Sequence, residues 1–228
     1  MIPLRDDNPT KSLSFVTIAI IVINALVFIY ELTVGDQLQD KILKFAVIPY
    51  NIIHINSPKV LLTLITSLFF HGGFAHIFSN MLYLWVFGNN VEDGLGHIRF
   101  TFFYLLCGIT ATFGHIITAS GSKLPVIGAS GAISGVLGAY LLLYPRAKVL
   151  VLIPLFFIWR IVKVSAFWFL LFWIILQFLY TTASFALVGE SSEGSVAWFA
   201  HIAGFFSGIL FLRLFLKRKR KIRIKDIF

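Results

Sequence analysis

Cysteine is nearly absent: Cys107 stands alone among 228 residues, which excludes an internal disulfide and any metal site built from a cysteine cluster. Charge is scarce too, with Asp, Glu, Lys and Arg making up only 13% of the chain. No internal repeat, low-complexity tract or second domain interrupts it. What remains is 58% hydrophobic with a mean hydropathy of +0.90, more apolar surface than a soluble domain of this length can bury. The solvent is therefore a bilayer. The first apolar run, Phe15 to Leu32, is too long for a signal-peptide core and lacks a small-residue cleavage site after it, so it reads as a retained span.

Acidic residues number ten against nineteen Lys and Arg, and the excess is localised: eight of the basic residues fall between Arg213 and Lys225, directly after an apolar helix. A terminal cluster of this kind signals orientation and contact with anionic lipid. Nucleic-acid binding would need a basic face on a folded surface, which nothing else supplies.

Crossing a hydrocarbon core of about 30 Å takes roughly 20 helical residues. The hydropathy pattern predicts spans near 13–33, 75–93, 98–119, 129–144, 165–187 and 196–216, followed by a basic tail over 217–228. This is an all-α membrane protein of six transmembrane helices forming a single domain. The apolar stretch Val149 to Phe157, interrupted by Pro154, reads as interfacial. With six crossings both termini share a side. Arg5, Lys11, Arg99, Arg146, Lys148, Arg160, Lys163 and the tail fall on it, which makes it the cytoplasm. The opposite side receives Asp36, Asp40, Lys41, Lys44, Lys59, Lys123, Glu190 and Glu193. The segment from about 34 to 74 is too long for a simple turn and is expected to pack on the outer leaflet.

Polar side chains inside spans are costly and mark functional sites by default. Span two holds His76 and Asn80 on one helix face, with His71 just before it; span four opens on Gly128-Ala129-Ser130-Gly131; span six carries Ala200-His201. At about 1.5 Å per residue, Ser130 lies about 21 Å above Tyr144, His201 about 23 Å above Leu216 and Asn80 about 20 Å above Asp93. All three meet at one level, about 10 Å below the outer surface of a core of about 30 Å. Small residues at spacing four, Gly131-Gly135-Ala139 on span four and Ala200-Gly204-Gly208 on span six, allow close helix approach beside Ser130 and His201. Taken singly, a serine in a Gly/Ala-rich membrane helix is usually a packing residue, and Gly-x-Ser-Gly is a weak motif without a preceding strand. The convergence carries the case.

These residues resemble the rhomboid intramembrane proteases over most of the chain, from Ser67 to Gly208. His71, His76 and Asn80 fit the family's His-x4-His-x3-Asn pattern, Glu92 and Gly96 followed by Arg99 its acidic-glycine turn, Gly128 to Gly131 its nucleophile motif, and Ala200-His201-x-x-Gly204-x-x-x-Gly208 its base-bearing helix. The resemblance implies a rhomboid-like bundle and a Ser-His dyad with no carboxylate, no metal and no cofactor. Substrates would be transmembrane proteins, entering laterally between helices. Two positions depart from the family: Leu62-Thr63 stands where Trp-Arg is frequent, and Ser134 where an aromatic usually stacks on the base.

On this reading Ser130 attacks a peptide carbonyl while neutral His201 takes its proton. Asn80, His76 and the Ser130 backbone N–H are candidate donors to the oxyanion. His71, Glu92, Gly128, Gly131, Gly204 and Gly208 are structural, and Ser120, Ser122 and Lys123 are candidates to line a water entrance. Three rival readings stand beside it. One is a catalytically dead relative that binds membrane clients, although such a protein would normally have lost Ser130 or His201. The second is a transporter with His76, Ser130 and His201 along a proton or solute path, without the inverted repeats that would support it. The third is a zinc site of His71, His76 and His201, without an acidic third ligand. The lack of an N-terminal transit extension or seventh span favours a prokaryotic plasma membrane by resemblance.

Overall fold

In hydrocarbon an apolar segment must satisfy its backbone internally, so each long apolar stretch is expected to be helical. The computed structural model, which describes residues 1–155, 158–187 and 198–216, has helix in all six. In chain order the elements are strand β1 (Ile2–Asp6), helices α1 (Phe15–Thr33), α2 (Leu38–Phe45), α3 (Pro49–His54), α4 (Pro58–Thr66), α5 (Phe74–Tyr83), α6 (Asn89–Leu95), α7 (His97–Thr118) and α8 (Ser130–Leu143), strands β2 (Lys148–Leu155) and β3 (Ile158–Ser165), and helices α9 (Ala166–Leu187) and α10 (Trp198–Phe215). A π-helical turn, Leu84–Gly88, joins α5 to α6 into one rod. Among the described residues four helices are long and apolar enough to cross a membrane, α1, α7, α10 and the Ala166–Ala183 part of α9. The Phe74–Leu95 rod joins Pro58–Phe69 through a bend of 81°, and α8 is a shorter apolar helix. The basic tail, Glu190, Glu193 and the expected start of the last span at 196–197 lie outside the described residues.

Burial is inverted relative to a soluble bundle. On α1 the polar residues Thr17, Asn24 and Glu31 recur every seven positions and are buried, whereas Val22, Ile23, Leu26 and Ile29 face outward. That pattern is stable only where the surroundings are lipid. Helix α8 is the most enclosed, with every residue from Gly131 to Tyr140 buried.

Side-chain contacts define one end of the bundle. Glu92, fully buried at the end of α6, accepts from the Val16 and Thr17 backbone N–H groups (2.9 and 2.7 Å), from Thr17 Oγ1 (2.6 Å) and from His97 Nδ1 (2.6 Å). A carboxylate there satisfies orphan donors of the first turn of α1 and complements its dipole. Tyr144, after α8, donates to the Asn90 carbonyl (3.1 Å), and Arg99 on α7 donates to the Leu216 carbonyl after α10 (3.3 Å). So the start of α1, the end of α6, the start of α7 and the ends of α8 and α10 lie together. Replacing Glu92 by Ala orphans these donors and is expected to lower stability by about 3 kcal/mol. Equilibrium unfolding in mixed micelles measures this, and an unchanged midpoint would remove Glu92 from that role.

At the same end sits a feature the helical expectation missed. Strands β1, β2 and β3 form an antiparallel sheet in that order, Ile2 opposite Leu152 and Val151 opposite Val162. Val149 to Phe157, expected to be merely interfacial, supplies the central strand up to Leu155. Its β-branched Val149 and Val151 are buried against the bundle, as a half-covered strand requires. The fold is mostly helical but not all-α.

Candidate active site

At the opposite end, the loop before α8 runs under α5. Val126 and Val47 pair backbone to backbone, and Gly128 N–H donates to the Ser67 carbonyl (2.9 Å). Gly128 has φ +120°, which favours glycine, and a Cβ there would lie 2.7 Å from His76 Nε2 and 3.8 Å from Asn80 Nδ2. Glycine thus lets the chain enter α8 directly beneath the two polar side chains of α5. Ser130 follows as the first residue of α8, where the first-turn N–H groups have no intrahelical acceptor.

Close packing brings α10 alongside. A methyl on Gly204 would overlap the Gly131 carbonyl oxygen, one on Gly208 would overlap that of Gly135, and one on Gly131 would lie 2.6 Å from Ala111 Cβ of α7. The α10 stripe thus packs on the Gly131 and Gly135 carbonyls of α8, while the α8 stripe itself faces α7, where a Cβ on Gly135 would lie 2.5 Å from Cys107 Cβ. Ser130, His201, His76, Asn80, Gly128 and Gly131 all line one cavity of about 980 Å³. Glu92, Gly204 and Gly208 serve packing away from it. His71 is buried beside it: its N–H donates to Glu31 (3.0 Å), and its ring stands edge-on to His76 with centroids 5.0 Å apart. Of the expected entrance residues Ser122 lines the cavity, and Lys123 lies over the Tyr50 ring at 5.1 Å.

The two serines of α8 differ in state. Ser134 is buried and its hydroxyl donates to the Ser130 carbonyl (2.7 Å), a local bond that occupies it. Ser130 is half-buried at the cavity wall. Asn80 Nδ2 is buried with no hydrogen-bond partner among the described residues, a cost of about 1–3 kcal/mol unless something fills the position in front of it. Among the described residues no three of His, Cys, Asp and Glu are grouped so as to hold a metal ion.

His201 is held by residues that sequence reasoning missed. Its Nδ1 is 2.8 Å from Gln177 Oε1 on α9. Its ring centroid is 6.1 Å from that of Trp173 and 5.7 Å from that of Trp198, which stands edge-on. These aromatics flank His201, while Ser134 stands where the resemblance would place a stacking ring. The signal was legible, because Gln177 is the one amide in the apolar run from Ala166 to Leu187.

A rhomboid-domain family model matches residues 58–218, more than half of the chain, and the chain belongs to the rhomboid family. It is an integral membrane protein. Among curated relatives it is 46% identical over 78 residues to the rhomboid protease GluP of Bacillus subtilis, covering 34% of this chain and 15% of that protein. It is 36% identical over 78 residues to RHOMBOID-like protein 5 of Arabidopsis thaliana (34% of this chain, 25% of that one). To the mitochondrial rhomboid protein 1 of Saccharomyces cerevisiae it is 35% identical over 96 residues (40% and 28%). The matched segment thus spans less than a third of the length of each of these relatives.

Proposed function

We propose that the chain is an intramembrane serine protease that cleaves transmembrane proteins through a Ser130–His201 dyad. The observation that carries this reading is the single cavity lined by Ser130 at a helix N-terminus, by His201 and by the unpartnered amide of Asn80. Ser130 Oγ forms the bond to the scissile carbonyl carbon and its proton passes to His201 Nε2. The resulting oxyanion is met by Asn80 Nδ2, His76 and the Ser130 N–H. The tetrahedral adduct then collapses, the C–N bond breaks, and His201 returns the proton to the leaving amine. An aqueous cavity supplies the water that releases the acyl group.

The sheet supports six crossings with both termini on one side. A hydrogen-bonded sheet cannot straddle hydrocarbon, so β1 and β2 lie on the same face of the bilayer and an even number of crossings separates them. Helices α1 and α7 are long enough to cross. The rod Phe74–Leu95 and α8 therefore either both cross or both do not, and α8 starts and ends at opposite ends of the bundle. Basic residues Arg5, Arg146, Lys148, Arg160 and Lys163 then share the cytoplasmic side. Ser130 sits about 20 Å from that side in a core of about 30 Å. The substrates are membrane-spanning helices cut near their outer ends, in a prokaryotic plasma membrane, with membrane lipid as a partner and no nucleic acid.

Asn80→Ala tests the oxyanion assignment. Turnover is expected to fall about 100- to 1,000-fold with KM changed less than threefold, as loss of a donor used only in the transition state requires. Steady-state cleavage of a single-pass substrate in proteoliposomes measures it, and a change confined to KM would make Asn80 a docking residue.

A further inference from the structure

A base can act only if its lone pair faces the nucleophile, so the tautomer of His201 matters as much as its place. Nothing in a Ser-His pair fixes that tautomer, and among the described residues no carboxylate is hydrogen-bonded to the ring. Gln177 does approach it, and it is buried. Its Nε2 donates to the Trp173 carbonyl at 3.2 Å, and its Oε1 lies 2.8 Å from His201 Nδ1. A main-chain carbonyl can only accept, so the amide NH2 must face Trp173 and the amide oxygen must face His201. That oxygen can in turn only accept, so the ring proton must sit on Nδ1. The lone pair is left on Nε2.

We propose that Gln177 is a positioning residue that completes a Ser130–His201–Gln177 relay, an uncharged amide occupying the place a carboxylate holds in soluble serine proteases. The inference rests on the dyad reading above. When Ser130 gives up its proton to Nε2, the imidazolium keeps its Nδ1–H bonded to Gln177 Oε1, and Gln177 itself exchanges no proton. Trp173 and Trp198 restrict ring rotation on either side. The anchoring is local to α9: Thr181 Oγ1 donates to the Gln177 carbonyl (2.7 Å), and Trp173 lies one turn before.

Gln177→Leu and Gln177→Glu, measured with Ser130→Ala on a fluorogenic transmembrane substrate in proteoliposomes, test this. Gln177→Leu is expected to lower kcat about tenfold or more with KM within twofold, a part of the 100- to 10,000-fold that a positioned general base contributes. In Gln177→Glu the new carboxylate stabilises the imidazolium, so the acid limb of the kcat/KM profile should move up by about one pH unit or more. A merely structural residue would not move that limb. Native kcat in Gln177→Leu, or an unmoved acid limb in Gln177→Glu, overturns the proposal; if Gln177→Leu does not fold, the limb alone decides. Cleavage retained by Ser130→Ala would overturn the dyad itself and the relay with it, whereas an inactive Ser130→Ala beside a fully active Gln177→Leu overturns the relay alone.

Discussion

Ser130→Ala and His201→Ala are each expected to reduce proteolysis to less than about one part in ten thousand of the native rate while leaving the protein folded in detergent. The magnitude follows from the way dyad members act as a unit, so that removing either loses nearly the whole covalent route. Both side chains line the cavity and Ser130 is the first residue of its helix, so the helix contacts stay in place even though His201→Ala gives up the ring's contacts with Gln177, Trp173 and Trp198. A fluorophosphonate probe should label Ser130 alone, since the Ser134 hydroxyl is buried and bonded to the carbonyl one turn above it. Ser134→Ala should accordingly keep activity within about threefold, the lost bond being worth about 1 kcal/mol or less. Cleavage at more than a trace by either dyad variant, or a mapped label on Ser134, would break the assignment.

Gly208→Val should be nearly as damaging without touching the cavity. Even a first side-chain carbon at this position overlaps the Gly135 carbonyl oxygen, which is backbone and cannot rotate away. Helices α8 and α10 must separate, and the displacement is transmitted along two stiff rods to Ser130 and His201. Since about 1 Å of misplacement can cost 100-fold in rate, activity is expected to fall below about 1% of native. The apparent unfolding midpoint should drop as well, because overpacking of a tight contact costs about 1–3 kcal/mol or more. Gly121→Ala is the matched control, having open space around its Cβ. Near-native activity in Gly208→Val would mean that the two helices do not need this approach.

The two variants bracket what was legible in the sequence. Helix positions, the meeting of Ser130, His201 and Asn80 at one cavity, and the close approach at the glycines could all be read because each depends on counting along one helix. The sheet was not legible: β1 is five residues with a proline, and its partner lies 150 positions away, so no local periodicity marks it. Glu31 and Gln177 were missed for a related reason. Glu31 is the one charge of α1 and Gln177 the one amide of α9, and what makes each informative is the atom it meets on another segment, His71 N–H in one case and His201 Nδ1 in the other. Glu92 lies between these cases, its motif visible but its grip on the start of α1 apparent only in three dimensions.

The sheet also orders events in time. Strand β1 is made first and waits for β2, and the register Ile2 opposite Leu152 puts 150 residues between them. At about 5–20 residues per second the ribosome needs on the order of ten seconds to supply that partner. During this interval the first helix can already be anchored by Glu92, but the short strand before it has unpaired amides at the membrane surface, where any other extended segment is a competitor. Pairing of the chain's first strand therefore reports that synthesis has passed α8, and assembly of the sheet end of the bundle is gated by translation rather than by insertion of the first span.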